Sequence, residues 1–253
     1  MSALDLHPAP RAASPAARIR NHGLTEARLV MRNGEQLVLA LVVPIAILVA
    51  GKYVGDRVGL PLSMLGPSVL ALAIWSTCFT SQAIQTGFER RYGVLERLAA
   101  TPLGRNGLLA GKALAYSLIS ALQVVILVVV AVILGWRPVG SALAWLPMLL
   151  SVILGMSSFS LFALALSGSL KAEVTLASAN LIYLLGLAGG VMWPLKDYPS
   201  GVRTVVALLP TTALGESLRA WGDGVAVWWP VLSLALWTVV LGLVARKVFR
   251  WVS

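Results

Sequence analysis

Residue types able to make or break bonds are few here, and their spacing does not assemble them. The two histidines, His7 and His22, both stand near the N-terminus, so no histidine-based metal site or general base forms within the apolar body. The single cysteine, Cys78, allows no internal disulfide and reads as a small apolar packing residue. Neither HExxH nor GxSxG occurs. "NGLLAGKA" (106–113) approaches a phosphate-binding loop. That loop needs Gly where Asn106 stands, Ser or Thr where Ala113 stands, and a preceding β-strand that the pattern does not offer. One stretch has another kind of chemistry, that of docking: "GFERRYGVLERLAATPLGR" (87–105). Phe88, Tyr92, Leu95 and Ala99 recur at i, i+4, i+7 and i+11 and predict one helical face, with Leu98 beside it. Glu89 and Glu96 form a flanking stripe and Arg90 and Arg97 the next, while Pro102 ends the helix and Gly104 turns the chain. Apolar knobs rimmed by both charge signs suit a groove on a soluble protein. A helix floating among headgroups would carry a uniformly basic polar face.

The elements holding this stretch are greasy. Of 253 residues, 58% are hydrophobic and 12% charged, against about 25% charged in soluble domains. A membrane-spanning helix takes about 20 apolar residues, and six stretches approach that: 36–51, 67–85, 108–134, 142–168, 174–193 and 226–246. The first is short and contains Pro44. The net charge of +10 could suggest nucleic acid, but its distribution speaks for topology. With six spans both termini share one side. That side holds fourteen of the twenty Lys and Arg residues, among them Arg18, Arg28, Arg90, Arg97, Lys112, Lys171 and Arg246. The asymmetry predicts cytoplasmic termini in a multi-pass protein of the cytoplasmic membrane, its basic charge meeting anionic lipid rather than nucleic acid. Trp136, Trp145, Trp193, Trp228 and Trp229 fall at outer span ends, where indoles suit the headgroup zone.

Residues 1–23 read as a disordered cytoplasmic tail and 24–253 as one six-helix domain. Leu24, Ala27, Val30 and Met31 predict an amphipathic surface helix over 24–37, with a break at Asn33-Gly34. The segment 194–224 predicts one or two short external helices dipping into the outer leaflet. Polar residues within the spans gather in two of them: Ser76, Thr77, Thr80, Ser81 and Gln82 in the second, Thr175, Ser178, Asn180 and Tyr183 in the fifth. Such clustering suggests a path or an interface. Ser151 with Gly155, and Gly186 with Gly190, have the spacing of helix-packing positions.

The stretch 87–105 resembles the cytoplasmic coupling-helix signature of ABC type-2 permeases, E-R-x-x-G-T-L-E-x-L-x-A-T-P-L. Glu89, Arg90, Gly93, Leu95, Glu96, Leu98, Thr101, Pro102 and Leu103 match it, and Val94 stands where Thr is usual. The surface helix, six spans and an external segment with Leu209-Pro210, Glu216, Leu218 and Arg219 extend the resemblance over about 24–250. It implies an all-α membrane protein that is the non-enzymatic half of an ATP-driven exporter. A coupling helix over 88–101 would dock a separate ATPase subunit through Phe88, Glu89, Arg90, Tyr92, Gly93, Leu95, Glu96, Leu98, Thr101 and Pro102. That partner would bind the ATP and Mg, leaving this chain without a cofactor. It also implies a second permease subunit, identical or paralogous, and a shared path lined by the second and fifth spans. The resemblance is nearest to the drug-efflux branch. Cell-envelope lipid, glycan or haem as cargo, and a scaffold or sensor that moves nothing, stay open.

Overall fold

A computed structural model describes residues 13–139 and 141–249, and for residues 35–37 and 39 the backbone only. Among the described residues there is no β-strand; eleven α-helices are joined by short 3-10 and π segments. Residues 1–12 of the expected tail, with His7, and Arg250 lie outside the description.

Helix α1 (Pro15–Arg32) starts well inside the stretch expected to be a disordered tail. The Ser14 hydroxyl accepts from the Ala17 amide and Pro15 occupies the first turn, a favourable helix start. Gly23, Ala27 and Val30 form its buried stripe. Ala27 and Val30 pack on Ala115 and Ile119 of α6, so the helix is braced along a span as well as facing outwards. It ends at Asn33. Helix α2 (Gly34–Tyr53) follows, with Pro44 in its interior.

Helices α3 (Leu62–Trp75) and α4 (Gln82–Arg91) are one continuous rod of 30 residues, joined by a π segment at Ser76–Ser81. After α5 (Val94–Ala99) come α6 (Gly104–Ile133), α7 (Ala142–Ser169) and α8 (Ala172–Gly186), which continues as a π segment to Val191. Two short helices, α9 (Ser200–Ala207) and α10 (Pro210–Gly222), precede α11 (Trp229–Val248). Among the described residues, five rods are long and apolar enough to cross a membrane: Leu62–Arg91, Gly104–Ile133, Ala142–Ser169, Ala172–Val191 and Trp229–Val248. The apolar part of α2, Ala40–Tyr53, is shorter.

The rod α3–α4 is the most buried of the five. Trp75 and Phe79 stack at 4.3 Å, and Phe159 and Phe162 of α7 close around them. The tryptophans divide. Trp145, Trp193, Trp228 and Trp229 are open, as an interfacial role requires, but Trp136 is 3% exposed. Its ring packs edge-on against Trp221 at 5.7 Å, so it is a core residue of that end.

Candidate functional site

The docking stretch is not one helix. Phe88–Arg91 are the last turn of the α3–α4 rod, Gly93 turns with φ of 69°, and a separate six-residue helix, α5, follows. A positive φ suits a residue without Cβ, so Gly93 breaks the continuous face predicted over 88–101. The consequence is a change of sides. Leu95 is fully buried against Leu108, Leu164 and Phe249, with Leu98, Ala99 and Leu103 packed around them. The two leucines expected to grip a partner therefore fasten α5 to the ends of α6, α7 and α11. Tyr92, Val94, Glu96, Arg97, Thr101 and Pro102 face outwards, and Phe88 is half-buried with its ring 6.4 Å from that of Tyr92.

The signature charges at 89 and 90 also turn inwards. Arg90 is buried and donates to the carbonyls of Gly168 (2.5 Å) and Leu170. A helix end leaves carbonyls unpaired and favours a cation, so Arg90 of α4 caps α7. Glu89 pairs closely with Lys112, which is fully buried, and Lys112 lies 3.5 Å from Glu26 of α1. His22 Nε2 stands 3.8 Å from the other Glu26 oxygen. Burial pushes the His22 pKa down, with Lys112 adding to the shift and the two carboxylates opposing it. Arg18 donates to the Pro102 carbonyl, tying α1 to the far end of the docking stretch. Arg91 and Glu173 form an open surface pair, which contributes little. The loop-like "NGLLAGKA" is helix here. Gly111 gives α1 room, for a Cβ there would meet His22 Cγ at 3.2 Å, and its neighbour Lys112 supplies the buried charge.

Sequence reasoning missed this anchor, yet it left a signal. Lys112, Tyr116, Ser120 and Gln123 recur at i, i+4, i+8 and i+11 in an otherwise apolar span, and all four are buried. They face the α3–α4 rod. The Thr77 hydroxyl donates to Gln123 Oε1 at 2.6 Å, and Cys78 Sγ contacts the Tyr116 carbonyl at 3.8 Å. Gln123 Nε2 in turn donates to the Ala40 carbonyl of α2 at 2.7 Å. A polar seam thus runs from the docking stretch into the core.

The expected path residues scatter around the neighbouring α4–α8 contact. Thr77 and Thr175 are buried, Thr77 in the seam and Thr175 against Gly87. Ser76, Thr80, Ser81, Ser178 and Tyr183 are half-buried, and Asn180 is exposed, its amide donating to the Leu176 carbonyl at 2.9 Å. Gly186 packs under the Trp75 indole, and Gly155 against Leu214, as the small-residue spacing suggests. Gly190 is different. Its φ is 84°, outside the helical range, because the chain turns there over Thr212.

At the opposite end, Arg219 of α10 is 8% exposed. It donates to the carbonyls of Gly190 (2.8 Å), Val191 (3.0 Å) and Trp193 (3.3 Å), to the Ser68 hydroxyl (3.0 Å), and to Glu216 (2.9 Å). Glu216 accepts from the Leu195 amide at 2.9 Å. This clasp pins the turn after α8 to α10 and α3. Among the described residues no group of His, Cys, Asp and Glu is arranged to hold a metal ion.

A family model described as ABC-2 family transporter protein matches residues 38–247. No curated protein matches the chain. The match takes in the whole docking stretch, the polar seam and the Arg219 clasp, and with it the chain belongs to the ABC-2 family of transporter proteins, whose members are the membrane subunits of ABC transporters.

Proposed function

We propose that the chain is the permease subunit of an ATP-driven exporter of amphipathic, drug-like or lipid-like molecules. The family pairs such a membrane subunit with an ATP-binding subunit. The observation that carries the docking assignment is a division of labour within 87–105. One side of the stretch is fixed to α6, α7 and the end of α11 through Leu95, Arg90 and Glu89, while Tyr92, Val94, Arg97 and Pro102 are left open. A segment anchored in this way moves with the spans when something pushes it. The ATPase docks on the open side, and the seam carries its displacement towards α2, α3 and α6. In this reading the basic end is cytoplasmic and α2 serves as the sixth span, its length completed by residues 34–39. A second permease covers the open face of α8, where Leu181, Leu184 and Leu185 are exposed beside Asn180. That would place Ser76, Thr80, Ser81, Ser178, Asn180 and Tyr183 along a shared path. Hydroxyls and one amide in an apolar wall suit cargo with few charges.

Co-purification with a co-expressed candidate ABC ATPase subunit tests the docking. Tyr92→Asp with Arg97→Glu should lose the ATPase while the permease still inserts and melts normally; full retention of substrate-stimulated ATP hydrolysis by that variant would sink the assignment. Export of a fluorescent amphipathic cation from vesicles, abolished by an ATPase-dead partner with assembly intact, separates transport from a scaffold role.

A further inference from the structure

Helices α6 and α11 both pack on α7 and leave a groove between them. It measures ≈ 780 Å³. Leu161 and Leu164 of α7 form its floor, Leu109 and Ala113 one wall, Val239 and Leu243 the other. Pro15 and Ile19 of α1 close the basic end, where Asn106 and Arg246 stand at the mouth. Among the described residues no acidic side chain lines it. From Thr238 to Arg246 the wall runs about 12 Å at the helical rise of about 1.5 Å per residue. One leaflet of a hydrocarbon core is about 15 Å deep. Val239 and Leu243 are 61% and 63% exposed, so the groove opens sideways, towards where lipid lies.

We propose that this groove seats one acyl chain of an anionic glycerophospholipid, whose phosphate is held by Arg246 and Asn106. The apolar walls and leaflet-deep length fit the chain. The cation at the end, with no carboxylate among the described residues that line the groove, selects an anionic headgroup over a zwitterionic one. The neighbouring Lys247 adds to the same field. Such a lipid wedges α1, α6 and α11 at the end where the docking stretch is fastened, so it would act as a structural cofactor. The proposal is independent of the cargo and of the ATPase, and its failure would leave the exporter reading untouched.

Gly242 supplies the test. It stands on the α11 wall, and a Cβ there would meet only Leu161 Cδ1 at 3.6 Å, so a larger side chain enters the groove without striking backbone. The purified chain, loaded in mixed palmitoyl-oleoyl phosphatidylglycerol and phosphatidylcholine micelles, is weighed by native mass spectrometry. The wild-type chain should retain one more phosphatidylglycerol than Gly242→Phe. Arg246→Gln, at an exposed position, should still retain lipid but lose about fivefold in preference for phosphatidylglycerol, the ratio that about 1 kcal/mol per basic residue gives. Equal retention by wild type and Gly242→Phe overturns the proposal, as it would if another helix filled the groove. So does a wild-type preference in Arg246→Gln.

Discussion

Replacing Leu95 and Tyr92, three residues apart, should produce opposite phenotypes. Leu95 is fully buried among Leu108, Leu164 and Phe249, whereas Tyr92 is 65% exposed. Burying a leucine side chain is favourable by about 1.5–3 kcal/mol. Removing it also leaves a cavity, and Leu→Ala changes in cores cost about 2–5 kcal/mol. Two features set where Leu95→Ala falls in that range. Helix α5 has six residues, so it can shift to close part of the void, which favours the lower end. Its flanks are held by the Arg90 cap and the contact between Arg18 and the Pro102 carbonyl, which limit that shift. A loss of about 2–3 kcal/mol is expected. Tyr92→Ala should stay within about 0.5 kcal/mol, as exposed substitutions do. The assay is denaturant unfolding of the purified permease in micelles, run beside co-purification of its ATPase. Leu95→Ala should lower the midpoint in the absence of any partner. Tyr92→Ala should leave the midpoint alone and reduce the captured ATPase. If Leu95→Ala unfolds with the wild-type midpoint, Leu95 is not a core residue and the inward-facing side of the stretch is wrong.

The buried anchor gives further tests. Lys112→Met strands the Glu89 and Glu26 carboxylates and should cost about 3–5 kcal/mol in the same unfolding assay, and adding Glu89→Gln should recover part of the loss. For His22, burial lowers the folded pKa beneath its ordinary 6.5. The unfolded chain therefore binds more protons just below that pH, and stability should rise with pH across the window ending near 6.5. His22→Gln should flatten the slope; an unchanged slope would show that another group is responsible. Gly190→Ala would place a Cβ 2.7 Å from the Thr212 Cα at a residue with φ of 84°, so folded yield by size-exclusion should collapse. Arg219→Gln removes charge-assisted bonds to three carbonyls and to Glu216, each worth about 1.5–3 kcal/mol. It should increase protease cleavage between α8 and α10, while the basic end keeps its wild-type protection.

Local chemistry written in consecutive residues was legible. Long apolar runs bounded by charge give spanning helices, because backbone groups in hydrocarbon must pair within the segment. The mixed-charge pattern and Pro102 marked the stretch 87–105 as distinct, and of the face predicted for α1, Ala27 and Val30 lie on its inner stripe while Leu24 and Met31 are exposed. Even Gly93 was a visible warning, since a lone glycine in a helical pattern weakens the helix there. What the pattern could not say is which way each side of the stretch faces once Gly93 turns it. A helical wheel treats Leu95 and Tyr92 as one face; a turn with positive φ puts one inside and one outside. The partners of Glu89 and Arg90 were equally hidden. They lie on α6, α1 and α7, and only close packing shows that a buried lysine has two carboxylates beside it and that an arginine ends a neighbouring helix. Gly190 and Trp136 follow the same rule, for their spacing fitted helix packing and a membrane interface until the turn over Thr212 and the Trp221 ring decided otherwise. The sequence determined what could be buried and what had to be solvated. Which surface remained for a partner was decided by the tertiary structure, because that surface is whatever the chain's own packing leaves uncovered.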